Sequence, residues 1–222
     1  MWTDVLYHHG IKGQKWGVRN GPPYPLGSDK LAGSIFRNAK KHEPAITKDI
    51  SEAVKLSGAS LYGLEHKLKT RESIKRKIET DSTEKKISVS SAGEKIKDAV
   101  RYTSLTNDSN YVKTYNNVKR YLEGKGYKET RCRNYFNEYR FGKSSHKSVQ
   151  SIFKTPYGYE FEVQFHTKSS QKAKDKKVPL YEEVRQPGIS IIRRNEIISN
   201  MIALAEQVND PEGVYSIKSH GK

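Results

Sequence analysis

Apolar and polar positions alternate most regularly between Ile152 and Thr167, IFKTPYGYEFEVQFHT. Tyr159, Phe161, Val163 and Phe165 take every second place, with Glu160, Glu162, Gln164 and His166 between them. A period of two puts the two sets on opposite faces of a strand, one apolar and one carrying acid, amide and imidazole. The preceding run, His146 to Lys154, leads into Pro156-Tyr157-Gly158, whose proline and glycine suit a short turn. The expected hairpin has Thr155 facing Tyr159, Phe153 facing Phe161, Val149 facing Phe165 and Gln150 facing Gln164. In that register both strands bury the same face. Two acids and no lysine on the polar face of so basic a chain lead us to expect a cation opposite them.

Helical spacing appears elsewhere. Ile46, Ile50, Ala53, Val54 and Leu56 form an apolar stripe that predicts a helix from Ala45. Tyr62 to Lys69 is expected as a short strand, after which Thr70 or Ser73 caps a helix through Ile74 and Ile78. Asp81 to Ser91 is expected as a polar connection. Asp98 to Leu105 is β-prone, and Tyr111, Tyr115, Val118 and Leu122 fall at helical spacing before Gly124 and Gly126. Tyr127 to Tyr135 returns as a charged, edge-type strand. After the hairpin comes a lysine-rich helix from Ser169 or Ser170, which Pro179 should interrupt. A last helix, Ile189 to Val208, would bury Ile191, Ile198, Ile202 and Ala205. The fold class is α+β, a mixed β-sheet with packed helices over residues 46–208. Residues 1–45, punctuated by glycine and proline, are expected to be a flexible appendage, and 209–222 a disordered tail.

Composition narrows the chemistry. The 222 residues hold 41 Lys and Arg against 25 Asp and Glu, a net charge of +16 that favours a polyanionic partner. Cys132 is the only cysteine, which excludes an intrachain disulfide and a cysteine zinc site. No apolar run approaches a membrane span and the N-terminus lacks a signal-peptide core, so we expect a soluble, non-exported product with no membrane partner. Asp98 opens one strand and Glu162 sits in the middle of another, and paired acids from neighbouring strands suit Mg²⁺. Lys67 and Lys69, with Arg71 behind them, suit the charge of a triphosphate.

Two resemblances add to this. YHHGIKGQKWGVRNG, Tyr7 to Gly21, resembles an HHGxxGxKWGxR segment of proteins encoded among tailed-phage head and structural genes, which implies a phage or prophage origin. The order of a KxKxxxS segment, IKDAVRY, a tyrosine-rich helix ending in GKGY, SHKSVQ and FEVQFHT resembles the synthetase domain of the RelA/SpoT family, and more closely a divergent branch found among phage and toxin proteins. That resemblance spans about Leu64 to Arg185 and implies a nucleotidyltransferase-like sheet and transfer of pyrophosphate from ATP to a ribose 3′-hydroxyl. Carried over, it makes Asp98 and Glu162 the Mg²⁺ ligands, with Glu162 also taking the proton of the attacking hydroxyl. It gives Lys67, Lys69, Arg71 and Arg101 to ATP and phosphate, and His146, Gln150, Gln164 and His166 to the acceptor. The chain departs from the family where His146 replaces a tyrosine, where His166 replaces an arginine, and where the glycine before Arg101 is missing. The acceptor stays open between a nucleotide and a tRNA end, toward which the charge tilts. The place of action would be the bacterial host cytoplasm, with packaging in a phage virion as a route there. The competing expectation is a virion or head-associated protein whose fold is a non-catalytic nucleic-acid-binding module.

Overall fold

The computed structural model describes residues 27–140, 144–184 and 188–221. The segment 1–26, with its HHGxxGxKWGxR motif, lies outside the described residues. In chain order the elements are α1 (Ser28–Leu56), β1 (Ser60–Tyr62), α2 (Arg71–Glu84), α3 (Val89–Glu94), β2 (Arg101–Thr106), α4 (Tyr111–Gly124), β3 (Lys128–Asn134), α5 (Tyr135–Arg140), β4 (Val149–Lys154), β5 (Glu160–Thr167), α6 (Lys168–Val184) and α7 (Ile191–Glu206). They divide into two compact units, one of residues 1–38 and 70–96, the other of 39–69 and 97–222.

The described residues of the first unit are mainly helical. Thr70 caps α2 as expected, its side chain accepting from Ser73 N–H, and Ile74 and Ile78 are fully buried. Ser28 Oγ donates to Glu79 at 2.7 Å, and Arg71 pairs with Asp29. A Cβ at Gly93 would come within 2.6 Å of Leu31 Cδ2, so glycine is what lets α3 lie this close to α1.

The second unit is built on one mixed sheet in the order β1-β2-β5-β4-β3. Strand β2 runs parallel to β5, and the other pairings are antiparallel. The hairpin has the expected register: Val149 faces Phe165, Gln150 faces Gln164 and Phe153 faces Phe161, closed by Thr155 N–H to Tyr159 O at 2.8 Å. One face of the sheet is the core. Tyr102 and Tyr127 meet Phe161 edge-on, Tyr115 meets Phe165, and Tyr111, Val118 and Leu122 of α4 are buried. Glu129 is buried on this side and accepts from Tyr115, Ser151 and Lys119, so its charge is paired and hydrogen-bonded.

Several expectations are corrected. Helix α1 begins at Ser28, well inside the supposed appendage, and passes through Pro44. The strand expected over Tyr62 to Lys69 stops at Tyr62; a 3-10 turn, Leu64–His66, follows, and Leu68 makes only an isolated bridge to Val100. The polar stretch after Asp81 is mostly helical, ending α2 and starting α3. Pro179 lies inside α6 rather than ending it. Helix α7 buries Ile197, Met201 and Ala205 while Ile191, Ile198 and Ile202 stay exposed, so its buried stripe is rotated from the one expected. The tail is packed: Val214 and Ile217 are buried, their carbonyls accept from Asn134 Nδ2, and His220 pairs backbone to backbone with Cys132. A buried asparagine needs both amide protons satisfied, and the tail satisfies them.

Candidate active site

The second sheet face carries the chemistry. Because register fixes which residues share a row, Arg101 on β2, Glu162 on β5, Ile152 on β4 and Arg131 on β3 stand side by side across four strands. With strands ~4.8 Å apart, Glu162 has one guanidinium a strand away and another two strands away. Neither Arg101 nor Arg131 makes an ion pair among the described residues. The next row is Thr103, Gln164, Gln150 and Arg133.

The cation expected opposite the acids is present in two forms. Lys97 Nζ meets Glu160 at 2.6 Å, holding that carboxyl below its usual range despite partial burial. Around Glu162 the positive groups are Arg101 and Lys174. Asp98 stands two residues before Val100, whose carbonyl accepts Glu162 N–H at 3.0 Å. Its carboxylate pairs with Lys69 at 3.2 Å, and Lys67 pairs with Glu43 at 2.9 Å. The two lysines flank Leu68 in a loop rather than on a strand face. Arg71 belongs to the first unit, where it pairs with Asp29.

Both expected acceptor-side histidines differ from open binding groups. His146 stacks on Tyr181 at 5.6 Å and 7°, meets Tyr135 edge-on and shares a 2.5 Å hydrogen bond with the Tyr181 hydroxyl. Burial, with Lys177 and Lys174 nearby, pushes its pKa down to about 4. It is therefore a packed part of the site and not a free stacking platform. His166 is 3% exposed, with Nδ1 2.9 Å from Ser170 Oγ. Helix α6 covers it, so the acceptor contact expected there is not available at the surface.

Helix α6 is the element whose role the sequence concealed. Lys174, Lys177 and Tyr181 lie on one helical face at spacings of three and four. Lys174 Nζ donates to Gln164 Oε1 at 2.6 Å, Lys177 Nζ to Ser145 O at 2.5 Å, and Tyr181 reaches His146. The lysine run was visible as charge, but which lysines turn inward depends on where the helix lands. Arg131 was hidden in the same way, as one charge in a charged edge strand.

The residues fit a magnesium ion. Asp98, in the irregular segment before β2 rather than opening a strand as expected, and Glu162 on β5 offer hard carboxylate oxygens, and Mg²⁺ is usually held by one or two carboxylates plus waters and substrate phosphates. Among the described residues there is no cluster of three or more His, Cys, Asp or Glu that would form a closed metal cage.

Solved structures share this architecture. Small alarmone synthetase 1 from Bacillus subtilis, bound to its product pppGpp, matches with a TM-score of 0.55 and 14% identity over 80% of this chain and 90% of that one. The Type VI effector Tas1, in complex with its immunity protein, matches with a TM-score of 0.50 and 17% identity over 82% and 96%. A GTP pyrophosphokinase family protein from Streptococcus pneumoniae matches at 0.50 and 12% identity over 82% and 89%. No protein-family model and no curated protein sequence matches the chain. The fold is thus the one seen in small alarmone synthetase 1, an α+β architecture with a mixed five-stranded sheet and packed helices.

Proposed function

We propose that the protein is a magnesium-dependent pyrophosphokinase that transfers the β,γ-pyrophosphate of ATP to the 3′-hydroxyl of a nucleotide or of a tRNA end. The observation that carries this is the row Arg101, Glu162, Ile152, Arg131 on the polar side of a RelA/SpoT-like sheet. A carboxylate bracketed by two guanidiniums without ion pairs suits a base working beside phosphates.

Glu162 takes the proton of the 3′-hydroxyl, whose oxygen bonds to the β-phosphorus as the bond from that phosphorus to the α-β bridging oxygen breaks and AMP leaves. Asp98 and Glu162 would hold the metal, which when bound supplies charge neutralisation on the phosphates. Arg101, Arg131, Lys67 and Lys69 supply the remaining positive charge; for the two lysines, triphosphate would replace Glu43 and Asp98 as counter-ion. Gln150, beside Gln164 and Arg133, faces the acceptor side. The +16 charge supports a tRNA acceptor, because a polynucleotide offers many phosphates to neutralise. The N-terminal motif supports a phage-encoded protein acting in the host cytoplasm.

The test is incubation with Mg²⁺ and ATP labelled at the γ-phosphate, offering GDP, GTP, ADP, ATP and total tRNA separately, beside Glu162→Ala. Label on one acceptor, absent with the variant, supports the reading and identifies the acceptor. Label on none, from a folded protein, counts against it and favours the non-catalytic virion module.

A further inference from the structure

We infer that Lys174 is a positioning residue for Glu162, acting through Gln164: its ammonium sets the orientation of the Gln164 amide, which in turn holds one oxygen of the carboxylate. This deepens the pyrophosphokinase reading and rests on it for its catalytic consequence, but not for its geometry.

The chain of contacts is short and directional. Lys174 Nζ donates to Gln164 Oε1 at 2.6 Å, and Gln164 Nε2 donates to Glu162 Oε1 at 2.7 Å. Gln164 and Glu162 are 4% and 6% exposed, so water does not compete freely for these groups. An ammonium only donates and a carboxylate only accepts. The amide between them satisfies both in one orientation alone; turned over, its NH₂ would face the ammonium and its carbonyl the carboxylate. Lys174 thus excludes the flipped amide. With Oε1 held by the amide, the plane of the carboxylate is fixed.

The placement of Lys174 is otherwise costly. It makes no ion pair with an acid among the described residues. Burial, with Arg101 adding to it, pushes its pKa down to about 8. A lysine kept half-buried beside an arginine needs compensation, and Gln164 Oε1 with the neighbouring Glu162 charge provides it.

The test uses the full chain and two readouts. In ¹⁵N-labelled protein the side-chain amide pair of Gln164, identified by its disappearance in Gln164→Leu, should be dispersed in the wild type and in Lys174→Arg. In Lys174→Met it should shift, because the amide is then free to turn over. In the transfer assay Lys174→Met should lower kcat ~10- to 100-fold with KM for ATP unchanged, the usual size for loss of a supporting hydrogen bond. Lys174→Arg should recover most of that loss. If Lys174→Met does not fold, Lys174→Gln, too short to reach, takes its place with the same expectations. An amide pair unmoved by loss of the lysine, or an undiminished kcat, overturns the inference. An amide pair that moves as expected in Lys174→Met, when the wild-type protein transfers no label, upholds the positioning and counts against the pyrophosphokinase instead.

Discussion

Replacing His146 with phenylalanine should invert the effect of that site on stability between neutral and acid pH. In the fold the imidazole's pKa falls from 6.5 to about 4, chiefly because burial disfavours its cation and then because Lys177 and Lys174 repel it. In the unfolded chain it returns to its ordinary value near 6.5. Between these limits the unfolded state binds a proton that the folded state refuses, so stability falls as pH drops through that window. A difference of about 2.5 units corresponds to about 3 kcal/mol at ~1.36 kcal/mol per unit. His146→Phe keeps the stack on Tyr181 but loses the hydrogen bond to its hydroxyl, about 1 kcal/mol. The variant should therefore be about 1 kcal/mol less stable than wild type at pH 7 and about 2 kcal/mol more stable at pH 4. Urea unfolding followed by circular dichroism at four pH values reads this directly. His166, whose pKa burial also lowers, is common to both proteins, so the effect of its burial cancels in the difference and only its repulsion with His146 remains. A constant difference between the two proteins across that range would refute the reasoning.

Phe161 is fully buried among Tyr102, Tyr127 and Phe153, so Phe161→Ala should cost about 3–5 kcal/mol in the same unfolding assay, and a loss under ~1.5 kcal/mol would mean that the hairpin is not the centre of the core. Gly221 has φ +75°, and a Cβ there would lie 2.3 Å from the Thr130 carbonyl oxygen. Gly221→Ala should detach the tail from β3, raising hydrogen exchange at the Cys132 and His220 amides while β5 stays protected.

Much of the fold was legible because it rests on local pattern. The period-two alternation from Tyr159 to His166 fixed which face of β5 is apolar, and the turn at Pro156 to Gly158 fixed its register with β4. The tyrosines of α4 fell at helical spacing and are buried as expected, and the charge of β3 marked an edge strand. The limits of α1 were less legible, because Pro44 and the glycines before it look like loop signals, yet a proline costs a helix one donor and does not always end it. The same holds at Pro179 in α6.

The amino-acid sequence by itself determined the hairpin, its two faces and Glu162 as the carboxylate at the middle of the polar one, since alternation and charge are properties of neighbours along the chain. Only the tertiary structure decided that this polar face is largely covered, that Arg101 and Arg131 bracket Glu162, and that Lys174 rather than Lys172 or Lys176 turns inward. It also decided that His146 and His166 are packed groups rather than open ones. The physical reason is that these are statements about strand order and about where helix α6 lands. Both are settled by long-range packing that leaves no local mark on the sequence.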